Sequence, residues 1–271
     1  MIHTRERGSV IPDMEVFRND RLALIDADSI LYFCCKRDCS FDEVKQRLDD
    51  LMFSILKDTG CGRYAAFMSD PQSFRKKLGF VRTYKGNRTG KETPELLYAL
   101  KKYAEREWRF YTVENFEADD CVSLHREKGV ICSPDKDVLR QIEGYHWNYQ
   151  KNTWILTPKS LADHFLWLQT ASGDPVDGVP GIAGIGAKKA ESALEFLNGE
   201  DMPLKVLQMY ISVYGPTDGM KAAVDRFKET LDLVYLLRTE EDLRRLGLEM
   251  PPLHAVHVLE ILGEKWDTAP Q

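Results

Sequence analysis

The sequence predicts an α/β fold built on a mostly parallel sheet, because short apolar segments alternate with helical patterns over its first 142 residues. Residues 21–25 and 64–68 have the apolar character of buried parallel strands. Between them, residues 42–58 carry apolar side chains at helical spacing and supply the crossover helix of a β-α-β unit. Acidic residues follow several of these strands, where the carboxyl ends of a parallel sheet form a crevice.

The remaining elements extend this alternation and then end it. In order, they are a weak strand at 110–113, a helix at 118–128, a strand at 130–132, a helix at 135–142, a hairpin at 145–156 with Lys151 and Asn152 at its turn, and a helix from Pro158 to Leu168. Beyond Gly173 the pattern predicts helices near 187–197, 203–214, 218–237 and 254–263. We therefore expect an α/β domain over residues 1–170 and a helical subdomain over residues 171–271.

Composition excludes several classes of protein. The chain has 271 residues, 43% of them hydrophobic, which is enough for an ordinary folded core. It has no apolar run of membrane-spanning length, and its polar, charged N-terminal sequence lacks a signal pattern. The six cysteines form no CxxC pair and are expected to be reduced, as in a cytoplasmic protein.

Charge is distributed unevenly along the chain. Residues 75–102 contain nine basic and two acidic side chains, a local net charge of +7, whereas the whole chain carries −6 and the remainder therefore −13. A basic segment beside an acidic site suits a polyanion held near metal ions. A solvated basic face is the simpler alternative for that segment by itself.

Nine clustered acidic residues give the main functional prediction. Carboxylates crowded into one crevice raise one another's pKa unless cations hold them, so the pattern indicates divalent metals and an enzyme that acts on phosphate. Each acid alone could instead cap a helix, as for Asp135. The nine are Asp26, Asp70, Glu117, Asp119, Asp120, Asp135, Asp137, Asp174 and Asp177.

Spacing within the acidic clusters predicts which carboxylates act together. Glu117 and Asp120 are three residues apart and share a face in the first turn of a helix, whereas Asp119 points elsewhere. Asp135 and Asp137 follow a strand directly, and their spacing on a turn lets both face one metal.

Residues 173–190 form a glycine-rich turn before a helix. Gly181, Gly184 and Gly186 allow tight turns, and the helix that follows presents Lys188 and Lys189 at its amino end. Such a turn can hold the phosphates of a duplex without reading its bases. A plain helix-turn-helix packing element is the alternative.

Four motifs together resemble the 5′ nuclease family, which contains flap endonucleases, the 5′ nuclease domain of bacterial DNA polymerase I and short phage 5′→3′ exonucleases. They are YKGNR, FEADD, SPDKD and GDPVDGVPGIAGIGAKKA, in this order within residues 23–190. The resemblance implies a PIN-like, open, mostly parallel sheet flanked by helices, with a helix-hairpin-helix in the C-terminal subdomain. It also implies a helical gateway over about residues 71–105 through which a 5′ strand passes.

The resemblance further implies residue roles. Asp26, Asp70, Glu117, Asp119 and Asp120 match the tighter metal site, and Asp135, Asp137, Asp174 and Asp177 match the second. Lys85 and Arg88 match residues that contact the scissile phosphate, Tyr84 matches one that stacks on a terminal base, and Arg75 matches a basic residue on the same side. Gly181, Gly184, Gly186, Lys188 and Lys189 would belong to the DNA-binding turn, which in the family also holds a monovalent cation such as K⁺.

The function implied is a monomeric, cytoplasmic 5′→3′ exonuclease or flap endonuclease that hydrolyses DNA, or RNA in RNA–DNA hybrids, with two Mg²⁺ or Mn²⁺ ions and without a membrane. The alternatives are a catalytically silent DNA-structure-binding protein and a PIN-type ribonuclease, which would not need the glycine turn. Two positions depart from the family pattern. The first acidic cluster reads DAD, where the family more commonly has glycine after the first acid; Asp28 could be an additional ligand, but we expect it to start a helix. Gly178 replaces an asparagine.

Overall fold

A computed structural model describes residues 19–35, 38–78, 84–86 and 93–267, without the side chains of 264–267. Its central sheet has the strand order β3-β2-β1-β4-β5-β6, with β9 beside β2. The strands are β1 Leu22–Asp26, β2 Arg63–Met68, β3 Tyr111–Thr112, β4 Val130–Cys132, β5 Gly144–Asn148, β6 Thr153–Thr157 and β9 Val256–His257. A separate two-stranded ladder joins β7 Gly173–Asp174 to β8 Val179–Pro180.

Helices cover both faces of the sheet and form the C-terminal part of the chain. They are α1 Ala27–Cys34, α2 Phe41–Thr59, α3 Phe74–Lys77, α4 Leu97–Glu107, α5 Ala118–Leu124, α6 Lys136–Gln141, α7 Lys159–Ser172, α8 Ala187–Leu194, α9 Asp201–Asp218, α10 Met220–Val234, α11 Glu240–Leu246 and α12 Val258–Asp267. The mixed α/β architecture predicted from the alternation is confirmed.

Strands β1 to β5 run parallel, and only β6 and β9 pair antiparallel with their neighbours. Alternate residues of β1 point to opposite faces, as a strand requires. Ala23 and Ile25 pack in the core under α1, α2, α4 and α12, whereas Leu22 and Leu24 pack in the core under α5 and α6. Burial on both faces explains why β1 is apolar throughout until Asp26.

The strand order places a crevice beside the central strand. The chain leaves β1 for β2 on one side and later places β4 on the other, so the connections diverge at the carboxyl end of β1. Ligand sites in open α/β sheets form at such a point. Asp26 ends β1, Asp70 follows β2 and Asp135 follows β4, so the topology brings these three residues to one edge.

The boundaries of the helical region differ from those that the sequence predicted. Helix α7 runs across position 170, where we expected a boundary, and the core formed with α8 and α9 uses Phe165 and Leu168 of that helix. Residues beyond α10 return to the sheet: Leu236 and Leu237 pack in its core, and β9 pairs with β2. The residues after α10 therefore pack with the sheet rather than with the core of α7, α8 and α9, and the limits of the two domains stay a prediction.

The predicted helix at 254–263 is also wrong at its start, because Val256 and His257 extend along β2 before α12 begins. Backbone pairing with an open strand edge outweighs helical spacing over so short a segment. Helix α11 was not predicted, whereas α1 begins beside Asp28 as expected and α4 lies largely within the expected helical gateway at about 71–105. No helix within the described ranges is long and apolar enough to cross a membrane.

Candidate metal centre

An acidic crevice of about 710 Å³ opens at the carboxyl ends of β1, β2 and β4. Seven of the nine predicted acids line it, and they come from five different segments of the chain. They are Asp26, Asp70, Glu117, Asp119, Asp135, Asp137 and Asp177. Asp174 lines an adjoining cleft with Asp137 and Asp177, so it borders the same centre. Asp120 lines neither.

Asp26 is the most deeply placed acid of the crevice. It caps α1, and its Oδ2 accepts hydrogen bonds from the hydroxyls of Ser29 at 2.5 Å and Ser133 at 2.9 Å. Burial, together with the negative charges of Asp28 and Asp135, raises the pKa of Asp26 to about 6, against the opposing effect of the two hydroxyls. The two serines thus hold a carboxylate whose neighbours disfavour its charge.

Two further carboxylates are destabilised in their charged form. Burial and the charges of Asp26 and Asp135 raise the pKa of Asp119 well above its usual value. Burial and Asp135 raise the pKa of Asp137 to about 7. Buried acids of one sign, drawn together from separate segments, form a site that gains stability when a cation enters it.

A lysine ammonium already provides one cation there. Lys85 Nζ lies 2.6 Å from Glu117 Oε1 and 3.7 Å from Asp177 Oδ2. Burial alone would lower the pKa of Lys85, but the nearby carboxylates raise it, so the side chain stays charged. Burial likewise would raise the pKa of Glu117, and the charges of Arg75 and Lys85 lower it instead. Lys85 therefore neutralises part of the negative charge of these two acids.

The donor chemistry fits a hard divalent cation. The crevice offers carboxylate and hydroxyl oxygens without thiolate or imidazole ligands among its described lining residues, which suits a hard divalent cation. The acids surround the crevice rather than converging on one point: within the described parts of the chain, no three His, Cys, Asp or Glu side chains stand close enough to hold an ion as they are.

Asp70 and Asp174 each serve the local backbone as well as the crevice. Asp70 accepts hydrogen bonds from the Gln72 amide at 2.8 Å and the Asn115 amide at 2.7 Å. Asp174 accepts one from the Val176 amide at 2.9 Å. These bonds fix the two carboxylates at the ends of their strands and leave further lone pairs on each.

Asp28 lies in the crevice, although the sequence analysis set it aside. It stands in the first turn of α1, as expected, but its Oδ2 accepts a hydrogen bond from Ser69 N at 3.1 Å and its Oδ1 lies 3.7 Å from Lys101 Nζ. Its spacing from Asp26 across a strand-to-helix junction was the signal that could have placed it here.

Arg75 and Asp120 must be separated from the predicted catalytic and metal sets. Arg75 is only 2% exposed, and Asp120 is fully buried. The four N–H groups on the terminal nitrogens of Arg75 are committed to both oxygens of Asp120, to Glu117 and to the carbonyl of Tyr235. The spacing correctly predicted that Glu117 and Asp120 share a face, but that face meets Arg75, and Asp119 is the residue turned to the crevice.

Tyr84 is also placed differently from the expected base-stacking role. It is 8% exposed and packs against Leu166 and Leu233. Its hydroxyl lies 3.0 Å from Glu117 Oε2 and 3.2 Å from Asp177 Oδ2. A ring held this way has no free face for a base. Arg88, the other predicted phosphate contact, lies outside the described residues.

The glycines of the turn divide into two kinds. Gly181 packs backbone to backbone, since a Cβ there would lie 2.2 Å from Ser172 C and 2.3 Å from Gly173 N. Gly184, with φ +76°, and Gly186, at the start of α8, face open space. Gly178 has φ +71°, a conformation that glycine and asparagine both tolerate. The role of Gly181 is therefore packing, and the accessible backbone begins at Gly184.

The two lysines beside the turn are exposed at the amino end of α8. Lys189 Nζ donates to the Gly184 carbonyl at 2.9 Å, which stabilises the turn. Lys188 makes no ion pair with any residue that the structure describes. An exposed cation, open glycine backbone and a helix amino end together suit a phosphate.

Several polar residues of the centre carried no signal in the sequence. Ser29 and Ser133 hold Asp26, Lys101 approaches Asp28, and Gln169 donates to Asp137 Oδ1 at 2.7 Å. Single serines, lysines and glutamines are too common to mark a site, and only the fold brings these to the crevice.

The fold and the crevice together define an α/β protein with an acidic centre at the carboxyl ends of its parallel strands. No family model matches the chain. Among curated proteins it is 31% identical over 148 residues to DNA polymerase I of Rhizobium leguminosarum, covering 46% of this chain but only 14% of that polymerase. It is 26% identical over 209 residues to a 5′-3′ exonuclease of Buchnera aphidicola, covering 65% of this chain and 71% of the relative.

Solved structures share the fold. The 5′-exonuclease of bacteriophage T5 with bound zinc ions has a TM-score of 0.60 at 18% identity and covers 80% of this chain and 89% of its own. The T5 D15 flap endonuclease in a complex with DNA and metal ions gives 0.55 at 18%, over 79% and 99%. The Rad2 catalytic core with DNA substrate gives 0.51 at 14%, over 94% and 89%. The resemblance to 5′ nucleases drawn from the motifs is confirmed.

In the absence of metal, neutralising Asp119 and neutralising the adjacent Asp120 should have different effects on the stability of the protein. Asp120→Asn leaves the buried Arg75 without its counter-charge and is expected to lower the free energy of unfolding by about 3 kcal/mol. Asp119→Asn removes like-charge repulsion and should leave stability unchanged or higher. Urea unfolding in EDTA measures both. Equal losses in the two variants would contradict the separation of Asp120 from the crevice.

Alanine at the glycines should distinguish packing from open backbone. Gly181→Ala forces a Cβ into the backbone of residues 172 and 173 and should destabilise the protein by about 3 kcal/mol. Gly186→Ala enters open space at a negative φ and should change stability by less than about 0.5 kcal/mol. Thermal and urea unfolding of both variants provide the measurement. A well-tolerated Gly181→Ala would refute its packing role.

Proposed function

We propose that this chain is a divalent-metal-dependent 5′ nuclease that hydrolyses phosphodiester bonds of DNA from 5′ ends or at 5′ flaps. The observation that carries the proposal is the crevice lined by acids from five segments, with the charged forms of Asp26, Asp119 and Asp137 disfavoured in the absence of a cation. The named activities of the Buchnera relative and the T5 structures support the same reaction class.

The crevice residues divide between ion binding and substrate binding. Asp26, Asp70, Glu117 and Asp119 are proposed to hold one ion and Asp135, Asp137, Asp174 and Asp177 a second. Bound divalent ions would supply an activated water and stabilise charge on the phosphate and the leaving oxygen. Ser29 and Ser133 orient Asp26, and the backbone amides at Asp70 and Asp174 fix those carboxylates before any ion arrives.

Lys85 has a defined part in this proposal. Its ammonium occupies the space between Glu117 and Asp177, and its own amide donates to the Asp177 carbonyl at 3.0 Å. A cation that enters among these acids competes with the ammonium, which is then available for a substrate phosphate. Lys85 is therefore proposed as the phosphate contact, with Arg88 beside it in sequence.

Duplex DNA is proposed to bind at the glycine turn. Lys188, the open backbone at Gly184 and Gly186, and the amino end of α8 would hold duplex phosphates independently of sequence. A K⁺ ion at this turn and RNA–DNA hybrids as substrates are further parts of the proposal. A monomeric state and a cytoplasmic location are further parts of the proposal, and the six free cysteines support the location.

A catalytically silent DNA-binding protein is the less favoured reading. Such a protein has no reason to keep buried, mutually repelling acids, since each costs stability without a cation. A PIN-type ribonuclease would share the crevice but has no use for the glycine turn. The crevice and the turn together favour the nuclease acting on duplex-containing DNA.

Cleavage should require a divalent ion, and binding should not. End-labelled duplex, 5′-flap and RNA–DNA hybrid substrates, each incubated with Mg²⁺, Mn²⁺ or EDTA, are expected to yield 5′ products only when metal is present. Filter-binding or anisotropy in EDTA should still detect the duplex complex, because the turn holds phosphates through its own N–H groups. Undiminished cleavage in excess EDTA would contradict the proposal.

The two groups of lysines should affect different steps. Replacing Lys188 and Lys189 with alanine should weaken duplex binding and lower its log-log salt slope by up to about 0.9 per lost phosphate contact. Lys85→Ala should instead slow single-turnover cleavage at saturating DNA, as expected for a charge near the reacting phosphate. Lys221→Ala is the matched control, because Lys221 is exposed in the same subdomain and pairs with Asp225.

Binding isotherms and single-turnover rates at two salt concentrations separate these effects. If the Lys85 variant lost affinity in parallel with the turn variant yet cleaved normally once saturated, Lys85 would be a binding residue only.

A further inference from the structure

Asp137 is held by a hydrogen-bond chain that begins outside the crevice. Gln169 of α7 donates from Nε2 to Asp137 Oδ1 at 2.7 Å. Gln141 of α6 donates from its own Nε2 to Gln169 Oε1 at 3.1 Å. Gln169 is only 5% exposed and Gln141 is fully buried, so neither amide is solvated freely. Asp137 and Gln141 lie four residues apart on one face of α6, and Gln169 bridges them from α7.

The backbone after α10 fixes the direction of this chain. Gln141 Oε1 accepts a hydrogen bond from Leu236 N at 2.6 Å, and Gln141 Nε2 also donates to the Val234 carbonyl at 2.8 Å. Because an amide N–H can only donate and a carbonyl only accept, the orientation of Gln141 is determined. Its NH₂ then faces Gln169 Oε1, which turns the Gln169 NH₂ toward Asp137.

The same backbone segment supports the other side of the crevice. Residues 234–237, which we call the strap, leave α10 and enter the sheet core. The Tyr235 carbonyl accepts from Arg75, and Leu237 N donates to Asp120 Oδ1 at 3.1 Å. Arg75 in turn contacts Glu117. The strap therefore forms hydrogen bonds with Gln141, which binds the Gln169 partner of Asp137, and with Arg75, which contacts Glu117.

We propose that Gln169, oriented by Gln141 and the strap, is a positioning residue for Asp137 at the second metal ion. This inference rests on the proposed function. With Gln169 bound to Oδ1, the Asp137 carboxylate has a fixed orientation and its Oδ2 remains available to an ion. Hydrogen bonds to a ligand's other atom set its direction, and their loss typically costs 10- to 100-fold in metal affinity. Since α10 also packs on α9 and on β8, the strap connects the helical subdomain to this ligand.

The test measures Mn²⁺ binding to the whole protein without DNA, either by calorimetry or by electron paramagnetic resonance of free Mn²⁺. Gln169→Met preserves side-chain length but removes the amide, and we expect the affinity of the weaker class of Mn²⁺ to fall about tenfold while the tighter class is unchanged. Gln169→Asn keeps an amide one methylene too short to reach Asp137 and should lose the same affinity. The asparagine variant replaces the methionine variant in the test if the methionine variant does not fold.

Thr170→Val is the matched control, because Thr170 is the next residue of α7, is buried, and donates its hydroxyl to the Leu166 carbonyl away from the crevice. It should bind Mn²⁺ as the wild type does. In cleavage assays, Gln169→Met should need more Mg²⁺ for its half-maximal rate and recover a near wild-type rate at saturating Mg²⁺. Recovery of this kind would not follow from a general packing defect.

Mn²⁺ affinities of Gln169→Met and Gln169→Asn equal to that of Thr170→Val would overturn the inference. An equal fall in both classes of Mn²⁺ together with a lower Tm would also overturn it, because it would indicate a structural role alone. Since Mn²⁺ binding is measured without DNA, its result does not depend on nuclease activity. Failure of the positioning role and failure of the proposed function are therefore distinguishable.

Discussion

Repulsion among buried carboxylates is the constraint around which the rest of the structure is organised. Asp26, Asp119 and Asp137 come from different segments, and burial together with the charges of neighbouring carboxylates, Asp135 among them in each case, raises their pKa values. The fold holds Asp26 with two serine hydroxyls and Asp137 with the side-chain amide of Gln169, and the charge of Lys85 offsets part of the repulsion at Asp119.

The supports that hold the acids are themselves buried polar groups with matched partners. Arg75 and Asp120 form an ion pair that carries no accessible charge, yet it joins α3, α5 and the strap around the crevice. Such a pair contributes little net stability compared with apolar packing, but losing one partner is costly. The pair instead helps to orient Glu117, whose carboxylate is held by Arg75 on one side and by Lys85 and Tyr84 on the other.

The helical subdomain and the sheet are not independent units. Helix α7 contributes to the helical core through Phe165 and to the crevice through Gln169, and the strap returns the chain from α10 to the sheet. A duplex held at the glycine turn would contact a body that shares helices with the metal centre. This connection gives a physical route by which DNA position and carboxylate position can depend on each other.

Local pattern in the sequence determined most of the fold and much of the site. Apolar strands buried on both faces, helical spacing in α2, and acids placed at strand ends were sufficient to predict the α/β class and to bring seven of nine acids to one crevice. These features depend on the period of the backbone and on the parallel order of strands. Both can be recognised in the sequence without knowledge of long-range contacts.

Only the tertiary structure decided which charged residues face solvent and which face each other. Asp119 and Asp120 are neighbours of identical chemistry, and the fold turns one to the crevice and the other to a buried arginine. Tyr84, Gly181 and the strand at Val256 were likewise assigned by contacts with segments far along the chain. Sequence spacing fixes the direction of a side chain on its own element, whereas its partner depends on which element packs opposite.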